Sequence, residues 1–185
     1  MNYKEILGFV AILIGSVSYL PYFRDIFKDK TKPHAFSWLI WAILAAIGFA
    51  GQISDNAGPG SWTLGLTAIA NFSIFLLALR KGEKNILLID WLCLMGAVIA
   101  IIIWFITKEP LLSVSLISVI AILGFFPTFR KSFIKPKEET ILTYALNVPK
   151  FAFALSALDN LSIVDLFIPP NPSYNEWLTC NYAHS

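Results

Sequence analysis

Few residues in this chain have types and spacings that could do chemistry. The two histidines, His34 and His184, lie 150 residues apart, and neither stands in a metal-ligand spacing with another donor. Cys93 and Cys180 have no partner by spacing, so neither a disulfide, a metal nor a cofactor is expected. There is no Gly-rich phosphate loop, no nucleophile elbow and no carboxylate pair, so an enzyme is not expected. What remains is a set of polar and aromatic residues inside apolar stretches: Asn71, Asn147, Lys150, Trp38, Trp41 and Tyr144. A polar group surrounded by hydrocarbon is costly, so it faces a cavity or a partner helix. An amide offers donors and an acceptor, which suits a hydroxyl-rich or zwitterionic solute; the alternative for Asn71 is a hydrogen bond between helices. Trp38 and Trp41 are three residues apart and share a helix face. Aromatic rings beside an amide could stack on the apolar face of a sugar-type solute. Trp41 is expected to line such a path, together with Tyr144 and Asn147. Trp38, Trp62, Trp91 and Trp104 stand nearer the ends of their stretches and are expected in an interfacial belt. Lys150 lies too deep for easy snorkelling and is expected either to meet an anionic group or to sit in a structural pair, with Asp159 the nearest downstream acid. Asp90 is expected to cap a helix start, and His34 to lie solvated in a basic loop.

These residues need helices to hold them. Of the 185 residues 57% are hydrophobic and only 14% charged, and mean hydropathy is +0.68. An ordinary soluble domain carries about 25% charged residues, so this chain cannot cover a globule with polar groups. About 20 apolar residues cross the hydrocarbon of a bilayer as a helix. Six stretches qualify, at residues 6–27, 36–53, 61–79, 86–107, 111–126 and 140–158. They must be helices, because open strand edges go unsatisfied in lipid and runs such as 97–105 do not alternate. The first stretch is too long for a signal peptide and has neither a basic start nor a small-residue cleavage site.

Net charge is only +2, too small to imply a nucleic-acid partner, yet its distribution is informative. Eleven of the fourteen Lys and Arg fall in three places: Arg24 to Lys32, Arg80 to Lys84, and Arg130 to Lys137. The alternate connections carry almost none. Basic loops stay on the cytoplasmic side, which puts the N-terminus outside. Short connections and the lack of disulfides point to a bacterial inner membrane, with the lipid bilayer as the first partner. The sequence is equally consistent with a monomer and a homo-oligomer.

The segment Pro21-Tyr-Phe-Arg-Asp-Ile-Phe27 recurs as Pro127-Thr-Phe-Arg-Lys-Ser-Phe133, an offset of 106 residues without a gap. At the same offset Ser37-Trp38 matches Thr143-Tyr144 in type, a hydroxyl followed by an aromatic. The expected fold is therefore an all-α membrane protein of two parallel triple-helix repeats joined by a linker helix. Residues 1–82 form the first repeat, 83–108 the linker, 109–160 two helices of the second, and 161–185 a tail. In that tail Asp165 and the run Pro169-Pro170-Asn171-Pro172 break the apolar pattern, so the seventh span is expected to be missing or degenerate, as in a truncated or frameshifted C-terminus.

This layout, with a proline near the cytoplasmic end of the first helix of each repeat, resembles the SWEET, SemiSWEET and PQ-loop family of small membrane transporters. The family's Pro-Gln pair is replaced here by Pro21-Tyr22 and Pro127-Thr128. The resemblance covers roughly residues 5–160. It implies alternating access between the two repeats, a small polar solute, a substrate-contacting asparagine at Asn71, and hinges at Pro21, Pro127 and Pro149. It implies facilitative transport of a sugar-type solute. The second reading is a non-transporting membrane interaction or scaffold protein, and a third is an inactive, truncated transporter.

Overall fold

The computed structural model describes residues 2–54, 56–107 and 110–159. The expectation of a degenerate seventh span falls on residues 161–185 and lies outside the described residues, as does Cys180. Every regular element described is helical: α1 (Tyr3–Phe27), α2 (Ala35–Ser54), α3 (Trp62–Lys81), α4 (Leu88–Thr107), α5 (Pro110–Ile134) and α6 (Ile141–Ser156). Short 3-10 turns at Pro59–Ser61 and Pro136–Glu138 lead into α3 and α6. Among the described residues, four segments are long and apolar enough to cross a membrane by length and composition: Tyr3–Phe27, Ala35–Ile53, Pro59–Lys81 and Leu88–Thr107. Helix α6, at 16 residues, is apolar but shorter.

The outer surface is apolar. Phe9, Leu13, Val17 and Leu20 face outward along α1, and Leu88, Leu92, Met95, Ile99 and Ile106 along α4. Contiguous apolar surface of this kind is stabilised by hydrocarbon rather than water, which is compatible with a membrane protein. The hydrophobic effect then contributes little between helices, and close packing has to hold the bundle together. Small residues at the contacts permit it. Gly124 of α5 lets α2 approach, since a Cβ there would lie 2.9 Å from Ile40 Cγ2 and 3.0 Å from Trp41 Nε1. Gly60 lies so close to α6 that a Cβ would collide with the Ala154 carbonyl.

α3 packs against both α1 and α2, α6 against α1, α5 against α2, and α4 against α5. One buried cluster joins Tyr19, Tyr22 and Ile26 of α1 with Trp38 of α2 and Ala70 and Ile74 of α3. A second joins Ile40 of α2, Ala97 and Ala100 of α4, and Ile120 of α5. The helices containing Pro21 and Pro127 continue past these residues to Phe27 and Ile134. In the turn that Pro21 loosens, Thr143 Oγ1 of α6 donates to the Ser18 carbonyl at 2.8 Å.

The three basic connections meet at one end of the bundle. Lys81 pairs with Asp29 at 2.9 Å, Lys32 with Glu138 at 3.2 Å, and Lys135 with Glu83 at 2.8 Å. At the opposite end Lys4 pairs with Asp159 at 2.9 Å, and the Asp159 N–H donates to the Ala57 carbonyl, tying α1, the α2–α3 turn and the end of α6 together. Gly58 in that turn has φ +82°, a left-handed geometry that glycine adopts without strain.

Candidate functional site

Between α1, α2, α3, α5 and α6 lies a cavity of about 440 Å³. α3 supplies one polar wall: Thr63, Thr67 and Asn71 follow at intervals of four, which sets them on one face of the helix. Across from it α6 presents Tyr144, Asn147 and Lys150, and α2 presents Trp38, Trp41 and Gln52. All five residues expected to line a path (Trp41, Asn71, Tyr144, Asn147 and Lys150) border this one space. Tyr19, Gln52, Thr63 and Thr67 also line the space, unexpected from the sequence. The four-residue rhythm of Thr63, Thr67 and Asn71 in an apolar helix was the signal that could have found three wall positions at once.

Polar groups in the wall are only partly satisfied. Tyr19 Oη donates to Asn71 Oδ1 at 3.0 Å, so Asn71 also serves the interhelical role. Thr67 Oγ1 donates to the Thr63 carbonyl at 2.7 Å. Trp38 Nε1, Gln52 Oε1, Thr63 Oγ1 and Asn147 Oδ1 are buried without a hydrogen-bond partner. A buried polar atom without a partner is disfavoured by about 1–3 kcal/mol, and these four belong to residues around a cavity whose accessible wall is mostly apolar. Among the described residues no three His, Cys, Asp or Glu side chains converge as a metal site.

Several expectations need correction. Trp38 is not a belt residue. It is 2% exposed, meets the Tyr22 ring at a tilt with centroids 4.8 Å apart, and borders the cavity, because α1 and α3 enclose that face of α2. Trp62 and Trp91 do face outward, and the side chain of Trp104 lies outside the described residues. Lys150 does not pair with Asp159, which Lys4 takes at the far end; its Nζ donates to Thr67 Oγ1 at 3.2 Å. His34 is fully buried rather than solvated, packed between Asp90 near the start of α4 and the Phe36 ring. Its Nε2 lies 3.4 Å from Asp90 Oδ2 without hydrogen-bond geometry. Burial holds its pKa below the ordinary 6.5 despite the nearby Asp90. Asp90 does cap its helix, accepting from the Leu87 N–H at 2.9 Å, and it also grips Arg130 through two hydrogen bonds of 2.6 and 3.2 Å.

Next to the cavity residue Tyr144, at the basic end of the bundle, lies a network centred on Glu139, a residue not singled out from the sequence. Glu139 Oε2 accepts from Tyr22 Oη at 3.1 Å and Tyr144 Oη at 3.3 Å, while Oε1 accepts from Lys131 Nζ at 2.6 Å. Lys131 was counted among the basic loop residues. It is instead 2% exposed inside α5 and also donates to the Glu138 carbonyl. Burial raises the Glu139 carboxyl above its usual range, with Lys131 opposing the shift. Beside it Thr140 Oγ1 lies 2.6 Å from Thr31 Oγ1 and donates to Asp25 at 3.1 Å, joining the ends of α1 and α6.

Comparison with family models, with curated proteins and with solved structures gives no match for this chain.

Proposed function

We propose that the chain is an integral membrane protein that carries a small polar solute through the cavity between two repeats, in the manner of the SWEET and PQ-loop transporters it resembles. The observation that carries this reading is the pairing of cavity residues by the sequence repeat. A shift of 106 residues turns seven wall residues into seven others that also line the cavity, among them Tyr19 into Phe125, Trp38 into Tyr144, Trp41 into Asn147, and Leu44 into Lys150. A chance recurrence of a short motif would not place both copies of so many residues around one space. The packing agrees, since the same shift exchanges α1 against α6 with α5 against α2. Both features support two parallel repeats about an axis along the membrane normal, with α5 and α6 as further spans and the basic end cytoplasmic.

In this reading the Glu139 network is the cytoplasmic closure and the Lys4–Asp159 end is the external one. The loosened turns at Pro21, Pro127 and Pro149 let the ends part alternately. Proteoliposome uptake tests the proposal, with a survey of neutral sugars, amino acids and small carboxylates. Saturable uptake of one class is expected, abolished in Trp41→Ala and in Asn71→Ala. The latter also strands the Tyr19 hydroxyl, so melting of each variant is followed in parallel. Uptake of no solute, by a protein that melts cooperatively, would replace transport with the scaffold reading.

A further inference from the structure

Lys150 carries a chemistry that the repeat does not duplicate. Its side chain is fully buried midway along α6, and its repeat mate is the apolar Leu44. The stem lies in a slot that Gly15 leaves open on α1, where a Cβ would stand 3.0 Å from Lys150 Cδ. At the tip, Nζ has one hydrogen bond, to Thr67 Oγ1, and otherwise faces the Phe151 ring at 4.1 Å and the Tyr19 ring at 5.1 Å. An ammonium has three donors, so two are unused. Among the described residues no acid lines the cavity, and every ion pair of the bundle involves other residues. A cation held in a low-dielectric space without a counter-ion is strongly disfavoured, and an anion entering that space removes the penalty.

The rest of the wall defines what the anion is attached to. Trp38, Trp41, Phe125 and Phe151 border it with aromatic rings, and the unpartnered Asn147 Oδ1 adds one acceptor. One cation in an otherwise neutral, aromatic cavity matches one negative charge on an apolar body. A dianion would leave a charge unpaired.

We infer that the cavity takes small monocarboxylates with an apolar or aromatic body, the carboxylate seated on Lys150 Nζ. This rests on the cavity being a solute site, as proposed above, and narrows that site to one charge class. Lys150 is the specificity-determining residue, and the Gly15 slot is what admits its stem.

The test is titration calorimetry of the full chain in detergent micelles with phenylacetate and its neutral, equally shaped amide, phenylacetamide. Phenylacetate is expected to bind, with the amide weaker by about 30-fold or more, as for loss of one partner of a buried charge pair. Lys150→Met is expected to abolish that preference, and Lys150→Arg to retain part of it. The carboxylate–amide comparison on the unaltered chain needs no variant, so a misfolded Lys150→Met leaves the inference testable. Equal binding of the two probes, or a preference unchanged in a folded Lys150→Met, overturns the inference. If phenylacetate fails to bind while a neutral sugar is taken up by proteoliposomes, the charge class is wrong and the transport reading stands. If nothing binds and nothing is taken up, both fall.

Discussion

His34 shows how a single side chain can tie the fold to pH. It is buried beside Asp90 and within reach of the Arg130 and Lys131 charges, and desolvation lowers its folded pKa below 6.5. A group whose folded pKa is depressed stabilises the fold fully above its unfolded value, and that contribution is lost as pH falls through the folded value. Melting in detergent is therefore expected to drop on acidification from about pH 7.5 to 5, and the drop to shrink in His34→Gln. Glu139 works in the opposite sense. Its carboxyl is raised by burial, so its contribution is present at low pH and fades as pH rises through the raised value. Glu139→Gln is the control that removes this opposing part. An acid sensitivity identical in the His34 variant would mean that other groups set it.

At the scale of elements, α4 and α5 are joined near the basic end by Asp90 and Arg130. The aspartate is fully buried, the arginine largely so, and the two meet through two hydrogen bonds. Asp90→Asn leaves a guanidinium facing a poorer acceptor and is expected to destabilise by about 3 kcal/mol, read as a fall in the melting midpoint. The double replacement Asp90→Leu with Arg130→Leu is expected to recover part of the loss, because it removes both desolvation penalties. The prolines act on elements in another way. Each deletes one backbone hydrogen bond inside a helix that nonetheless continues past it. If Pro21 and Pro127 are the flexing points, replacing either with Ala slows uptake about tenfold, some 1.4 kcal/mol of barrier, while solute binding changes little. Equal loss of binding and uptake would assign these prolines to helix shape instead.

At the scale of the whole molecule, the three basic connections lie together at one end. With Cys93 and Cys180 replaced by Ser, single cysteines report which side that end faces. Asn56→Cys is expected to react with a membrane-impermeant maleimide in intact cells, and Lys30→Cys and Lys84→Cys only after permeabilisation. The reverse pattern would invert the orientation. Labelling of positions 56 and 84 from the same side would show that α3 does not cross.

The sequence by itself determined the helical class, the clustering of basic charge and the recurrence of the Pro-x-Phe-Arg segment, because hydropathy, charge and motif spacing are local properties of the chain. It also made the main cavity residues legible: Asn71, Asn147 and Lys150 stand out as polar groups within apolar stretches. What it could not decide were the partners. Asp159 lies nine residues from Lys150 in sequence but ends at Lys4, and Thr67, 83 residues away, takes the ammonium instead. His34 read as a solvated loop residue and Lys131 as part of a basic connection, yet both are buried in the fold. Trp38 read as a boundary residue until Tyr22 and α3 covered it. The physical reason is the same in each case. Burial and pairing depend on which helices pack side by side, and in this bundle that is decided by close fit at small residues such as Gly15, Gly60 and Gly124, whose consequence is visible only in three dimensions.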